Sequence, residues 1–119
     1  MAAPSLNLIV IRAADIEAAH RFYCALGLSF AKHAHGKGPL HYSSDEGSVI
    51  FEIYPQTGAD ETTKGVRLGF KVSNLAEVLS CAQKHGAKII SPAKESPWGL
   101  RAVVEDPFGH RIEFLAASP

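Results

Sequence analysis

Two hydrophobic rhythms alternate along the chain, and the alternation happens twice. Leu6-Asn7-Leu8-Ile9-Val10-Ile11 is a β-rich run. Asp15 follows as an N-cap, and Ile16, Ala19, Phe22, Tyr23 and Leu26 recur at helical spacing until Gly27 stops them. Strands are expected over Leu28–His35, Leu40–Ser44 and Ser48–Tyr54, with Asp45-Glu46-Gly47 as the turn between the last two. Residues 55–65 are polar, hold two glycines and read as a linker. The same order then returns. Val66–Val72 is a strand, and Asn74 with Glu77 makes a capping box. Leu75, Val78, Leu79 and Ala82 form an apolar stripe that ends at Gly86. Ala87–Ser91, Leu100–Glu105 and His110–Leu115 are further strands, with Ser91–Gly99 as a loop.

Counting positions sets the register of this repeat. Asp15 to Gly27 and Asn74 to Gly86 each span twelve steps, while Asp45 to Glu52 and Asp106 to Glu113 each span seven. Glu52 is therefore the counterpart of Glu113, and Leu8 the counterpart of Arg67. The prediction is an α+β fold of two βαβββ modules, residues 5–54 and 66–116, forming one domain over 1–119. Mixed sheets would curl round a cleft with the helices outside.

Strand parity says which face meets a helix. Leu68, Phe70 and Val72, Val49, Phe51 and Ile53, and Ile112 and Phe114 are the wholly apolar sets. The opposite face collects Leu8, Val10, Arg12, Ile50, Glu52, Tyr54, Arg67, Lys71, Arg111 and Glu113. That mixture suits the lining of a ligand cleft, although an ordinary solvated sheet face is the plainer alternative.

Composition removes several classes of function. Twelve basic and twelve acidic side chains cancel, so nothing draws the chain to nucleic acid or to an anionic membrane. No apolar run reaches a membrane span. The start, Met-Ala-Ala-Pro-Ser, lacks a basic stretch before an apolar one, so no secretory signal is expected and the location is expected to be cytoplasmic. Cys24 and Cys81 fall in predicted helices and read as buried free thiols. No glycine-rich phosphate loop, Cys-x-x-Cys pair or Gly-x-Ser-x-Gly elbow is present.

Asp15-Ile16 through Phe22-Tyr23 to Leu26-Gly27-Leu28, and Asp106-Pro107-Phe108-Gly109-His110-Arg111-Ile112-Glu113, resemble the motifs of the vicinal oxygen chelate superfamily. That family includes glyoxalases, bleomycin-resistance proteins and extradiol dioxygenases. In its metal-binding members the ligand positions correspond here to Leu8, Glu52, Arg67 and Glu113. The two carboxylates match, but leucine has no donor atom and arginine would repel a divalent ion. The resemblance thus implies the fold, with no metal and no cofactor; a divalent metal is the alternative.

It also implies a metal-independent small-molecule-binding protein whose cleft is lined by Glu52, Tyr54, Arg67, Trp98 and Glu113. Arg67 would stand between the two carboxylates as the positive centre of the site. The alternative is an enzyme, a lyase, isomerase or hydrolase, with Glu113 or Glu52 as general base. Ser96-Pro97-Trp98-Gly99 suggests a lid or pocket wall; a core plug under the loop is the other reading of Trp98. His33, His35 and His41 read as rim histidines, with a displaced metal site as the lesser alternative. His110 reads as a turn residue that tolerates unusual φ and not as a base. The partners expected are a small-molecule ligand and a second copy of the chain, in a homodimer.

Overall fold

The computed structural model describes residues 2–118. Its elements are β1 (Leu8–Ala13), α1 (Ile16–Ala25), β2 (Ala31–His33), β3 (His41–Ser44), β4 (Ile50–Pro55), β5 (Arg67–Lys71), α2 (Leu75–Lys84), β6 (Lys88–Ser96), β7 (Gly99–Glu105) and β8 (Arg111–Ala116). The chain divides into two compact units between Thr62 and Thr63. Each unit holds one βαβββ module.

In the first unit the strand order is β1-β4-β3-β2. β1 runs parallel to β4, as a helical crossover demands, while β3 is antiparallel to both its neighbours. α1 forms where the sequence places it. Asp15 Oδ1 accepts from the backbone N–H groups of Glu17 and Ala18 at 3.0 and 3.1 Å, satisfying donors the first turn leaves open. The helix buries Ala19, Phe22 and Tyr23. These meet the apolar parity set of the sheet: Ile11, Phe51 and Ile53 are buried, and Tyr23 stands edge-on to Phe51 at 5.2 Å.

The second unit repeats the plan as β5-β8-β7-β6. Asn74 Oδ1 accepts from Glu77 N at 3.1 Å to start α2. The stripe Leu75, Val78, Leu79 and Ala82 is buried, together with Leu68, Ala102, Val104, Ile112 and Phe114 from the sheet. Burying one such side chain contributes roughly 1.5–3 kcal/mol.

Two expectations change. The strand expected over Leu28–His35 shrinks to Ala31–His33, because Leu28 and Phe30 turn inward before the exposed β2 begins. The loop expected over Ser91–Gly99 is mostly strand: β6 continues to Ser96 and pairs with β7 through Lys94–Arg101 and Ser96–Gly99. Two register shifts, between Ile89 and Ser91 and between Ser91 and Lys94, let Pro92 sit in an edge strand without breaking it. The hairpin closes tightly because Gly99 takes φ 131°, and a Cβ there would collide with the Ala116 carbonyl.

Candidate functional site

The sheet face turned away from each helix carries the candidate residues, and register places them in rows. In the first unit one row runs Arg12, Tyr54, His41, His33 across β1, β4, β3 and β2. The side chains form a ladder. Arg12 lies 5.2 Å from the Tyr54 ring centre, Tyr54 stacks on His41 at 4.2 Å and 9°, and His33 follows at 6.0 Å. The neighbouring row holds Val10, Glu52, Ser43 and Ala31.

His41 is buried, which corrects its reading as a rim residue. His33 and His35 are exposed, as a rim reading requires. The Pro39 carbonyl accepts from His41 Nδ1 at 3.1 Å, so that nitrogen carries the proton. Nε2 then faces the Tyr54 hydroxyl at 3.4 Å and Glu52 Oε2 at 3.7 Å. A cavity of about 230 Å³ opens at the β2–β3 end, lined by Phe30, His33, Ser43, Asp45 and Glu46 among others. Sequence reasoning did not include this cavity.

In the second unit the centre is Glu113. Arg67 Nη1 lies 3.3 Å from its Oε1, the pairing expected from the repeat. The closer partner is one that sequence reasoning missed: Arg101 Nη2 donates to the same oxygen at 2.6 Å. Arg101 sits on β7, outside the first-and-last-strand positions the resemblance singled out. Parity along β7 was the available signal, since Arg101 and Glu105, both only partly buried, share a face with Val103 opposite Ala102 and Val104. The hydrogen bond from Arg101 holds the Glu113 carboxyl below its ordinary range, against the opposing effect of burial; the charges of Arg101 and then Arg67 add to the lowering. The same bond raises Arg101 further. A carboxylate so stabilised is a weak base, which counts against Glu113 as a general base. The positive centre expected at Arg67 is therefore shared, and Arg101 makes the shorter contact. Gly69 stands beside Glu113 in register, and the space over it is open.

Trp98 is 75% exposed at the β6–β7 turn, so it is no core plug. Ser96 Oγ accepts from Trp98 N at 3.2 Å and donates to the Gly99 carbonyl at 2.7 Å, which fixes the turn that presents the indole.

His110 is also corrected. No residue other than glycine has positive φ among those described, and the turn's positive value, 97°, belongs to Gly109. His110 is fully buried instead. The Asp106 carboxylate accepts from its Nδ1 at 2.8 Å, and its Nε2 lies 2.6 Å from the Thr63 hydroxyl. Asp106 Oδ1 also accepts from the backbone of Phe108 and His110. This buried network locks the turn before β8 and so sets where Glu113 stands.

The donor set at the four expected ligand positions does not fit a divalent metal. Leu8 lacks a donor, and Arg67 brings a cation that contacts Glu113. The rings of His33, His35 and His41 lie 5.3–6.0 Å apart and flank one another rather than converging. Among the described residues no group of three or more His, Cys, Asp or Glu is placed to hold a metal ion. The cysteines are free and half-buried, and burial raises the Cys24 thiol. No helix among the described residues is long and apolar enough to cross a membrane.

A family model described as Glyoxalase/Bleomycin resistance protein/Dioxygenase superfamily matches residues 5–114. No curated protein matches the chain significantly. Among solved structures, TnmS3, an antibiotic binding protein from Streptomyces sp. CB03234, is 20% identical with TM-score 0.78, covering 99% of each chain. TioX from Micromonospora sp. ML1 is 23% identical with TM-score 0.69, covering 93% of this chain and 97% of its own. A glyoxalase/bleomycin resistance protein/dioxygenase family enzyme from Burkholderia phytofirmans PsJN is 19% identical with TM-score 0.76, covering 96% and 99%. At these identities the likeness is one of fold.

Proposed function

The chain belongs to the Glyoxalase/Bleomycin resistance protein/Dioxygenase superfamily, and from that premise we propose that it is a metal-independent small-molecule-binding protein. The observation that carries this reading is the arginine clamp on Glu113. At a position where metal-binding relatives place a ligand, the carboxylate is already neutralised by Arg101 at 2.6 Å and approached by Arg67 at 3.3 Å. Leu8 withdraws a further donor. What the two sheet faces offer is shape, stacking and charge, which is all that sequestration needs.

The ligand-binding residues in this proposal are Glu52, Tyr54, Arg67, Trp98 and Glu113, to which the structure's geometry leads us to add His41 and Arg101. Tyr54 and His41 supply a flat aromatic surface, and Trp98 a large exposed one. That TnmS3 binds an antibiotic supports a ligand of natural-product size. A cytoplasmic homodimer is part of the proposal, checked by light scattering on the purified protein.

The binding test is thermal shift against a library of aromatic natural products, with and without added Ni or Zn. We expect stabilising hits that do not depend on metal and that weaken in Tyr54→Ala. A metal-dependent rise in melting temperature that Glu113→Gln abolishes would overturn metal independence. A library without hits would overturn binding.

A further inference from the structure

The chain's zero net charge conceals an uneven distribution. On the open sheet face of the second unit, register aligns three rows: Lys71, Leu115, Arg101, Lys94; Gly69, Glu113, Val103, Ser91; and Arg67, Arg111, Glu105, Lys88. Six of these twelve positions carry cations and two carry carboxylates. Within the last row Arg67 and Arg111 are direct neighbours on parallel strands. Like charges opposite each other on a sheet oppose folding, and adjacent strands stand only about 4.8 Å apart.

The two carboxylates relieve this pair incompletely. Arg67 reaches Glu113 through one nitrogen at 3.3 Å, on an oxygen that Arg101 already holds at 2.6 Å. Arg111 reaches Glu105 through one nitrogen at 3.7 Å. Each guanidinium carries five N–H donors in a planar fork, and both side chains are well exposed, at 53% and 39%. Two adjacent forks with most of their donors uncommitted match an acidic group better than any neutral one.

We propose that the ligand of this protein carries an acidic group, a carboxylate, phosphate or sulfate ester, and that Arg67 and Arg111 together hold it. The inference rests on the small-molecule reading and narrows it. Glu113 is the positioning residue: clamped by Arg101, it draws Arg67 toward the row and leaves that fork free on its other edge.

The test uses paired probes at constant ionic strength: 1-naphthoate and naphthyl phosphate against the methyl ester of 1-naphthoate, followed by Trp98 fluorescence and calorimetry. The acids are expected to bind at least about tenfold tighter than the ester, the worth of one charge-assisted contact. Arg111→Gln should erase that preference, Arg111→Lys should keep part of it, and Lys84→Gln, on α2, should leave it intact. Melting curves of each variant separate lost binding from lost folding. Acid and ester binding equally would overturn the anion site while leaving the binding reading standing. Acids that bind wild type and Arg111→Gln alike would also overturn it. A single-stranded oligonucleotide that binds far more tightly than any acid probe would overturn it in favour of a polyanion surface. If neither acids nor ester bind, the inference fails, and the library screen decides separately whether the binding reading fails with it.

Discussion

Glu52 and Glu113 stand third in the last strands of their modules, yet their surroundings differ. The residue that flanks Glu113 from the next strand is Arg101; the residue at the corresponding position beside Glu52 is His41. The guanidinium closes to 2.6 Å, whereas the imidazole stays at 3.7 Å and spends its ring face on Tyr54. The turn residues that precede the two strands differ as well. Asp45 is exposed, while Asp106 is buried and holds His110. One duplicated scaffold thus carries an aromatic, nearly neutral face in one unit and a cationic face in the other. A repeated backbone fixes where functional side chains stand, and single substitutions decide what chemistry they bring.

The comparison breaks most visibly at the turns. Asp106→Ala leaves a buried imidazole without its carboxylate and should cost about 3–5 kcal/mol, whereas Asp45→Ala should stay within about 0.5 kcal/mol. Urea titrations of the two variants check this, and equal losses would contradict it. Next come the carboxylates. Glu113→Gln removes a charge-assisted bond and should cost about 1.5–3 kcal/mol, while Glu52→Gln should cost under about 1 kcal/mol, measured the same way.

Acid sharpens the same contrast. Glu113 has a lowered folded pKa, so its stabilisation is full above the unfolded glutamate value of about 4.3 and is lost as pH falls through the lower folded value. Glu17, lowered first by Lys32 and then by Tyr42, behaves likewise on the first unit. Melting temperature should therefore fall between about pH 5 and 3, and Glu113→Gln and Glu17→Gln should each flatten that fall. The smallest effect is expected at Arg67→Met. Its side chain is half exposed and its contact loose, so the loss should stay within about 1 kcal/mol.

Much of the fold was legible because its determinants are local. Asp15 and Asn74 cap the helices they were expected to cap, and the apolar parity sets Phe51 with Ile53 and Ile112 with Phe114 are buried. The candidate site was legible only in outline. Glu113 and Arg67 meet, but Arg101 escaped notice because it lies on a strand the resemblance assigns no ligand. The burial of His41 and His110 also lay beyond the sequence, since an isolated histidine looks the same on a rim and in a core. The β6 hairpin was missed because two prolines and a glycine imitate a loop unless the neighbouring strand is in view.

What the sequence determined by itself was periodicity, caps and the twofold count, all set by steric and hydrogen-bonding rules acting over a few residues. Those suffice to place Glu52 and Glu113 as counterparts. Tertiary structure alone decided which cation reaches which carboxylate, because side chains on neighbouring strands are brought within hydrogen-bond range only by register. Arg101 and Glu113 are twelve residues apart in sequence and 2.6 Å apart across two strands. Arg67 and Arg111 become neighbours the same way, and the electrostatics of the face follow from that pairing.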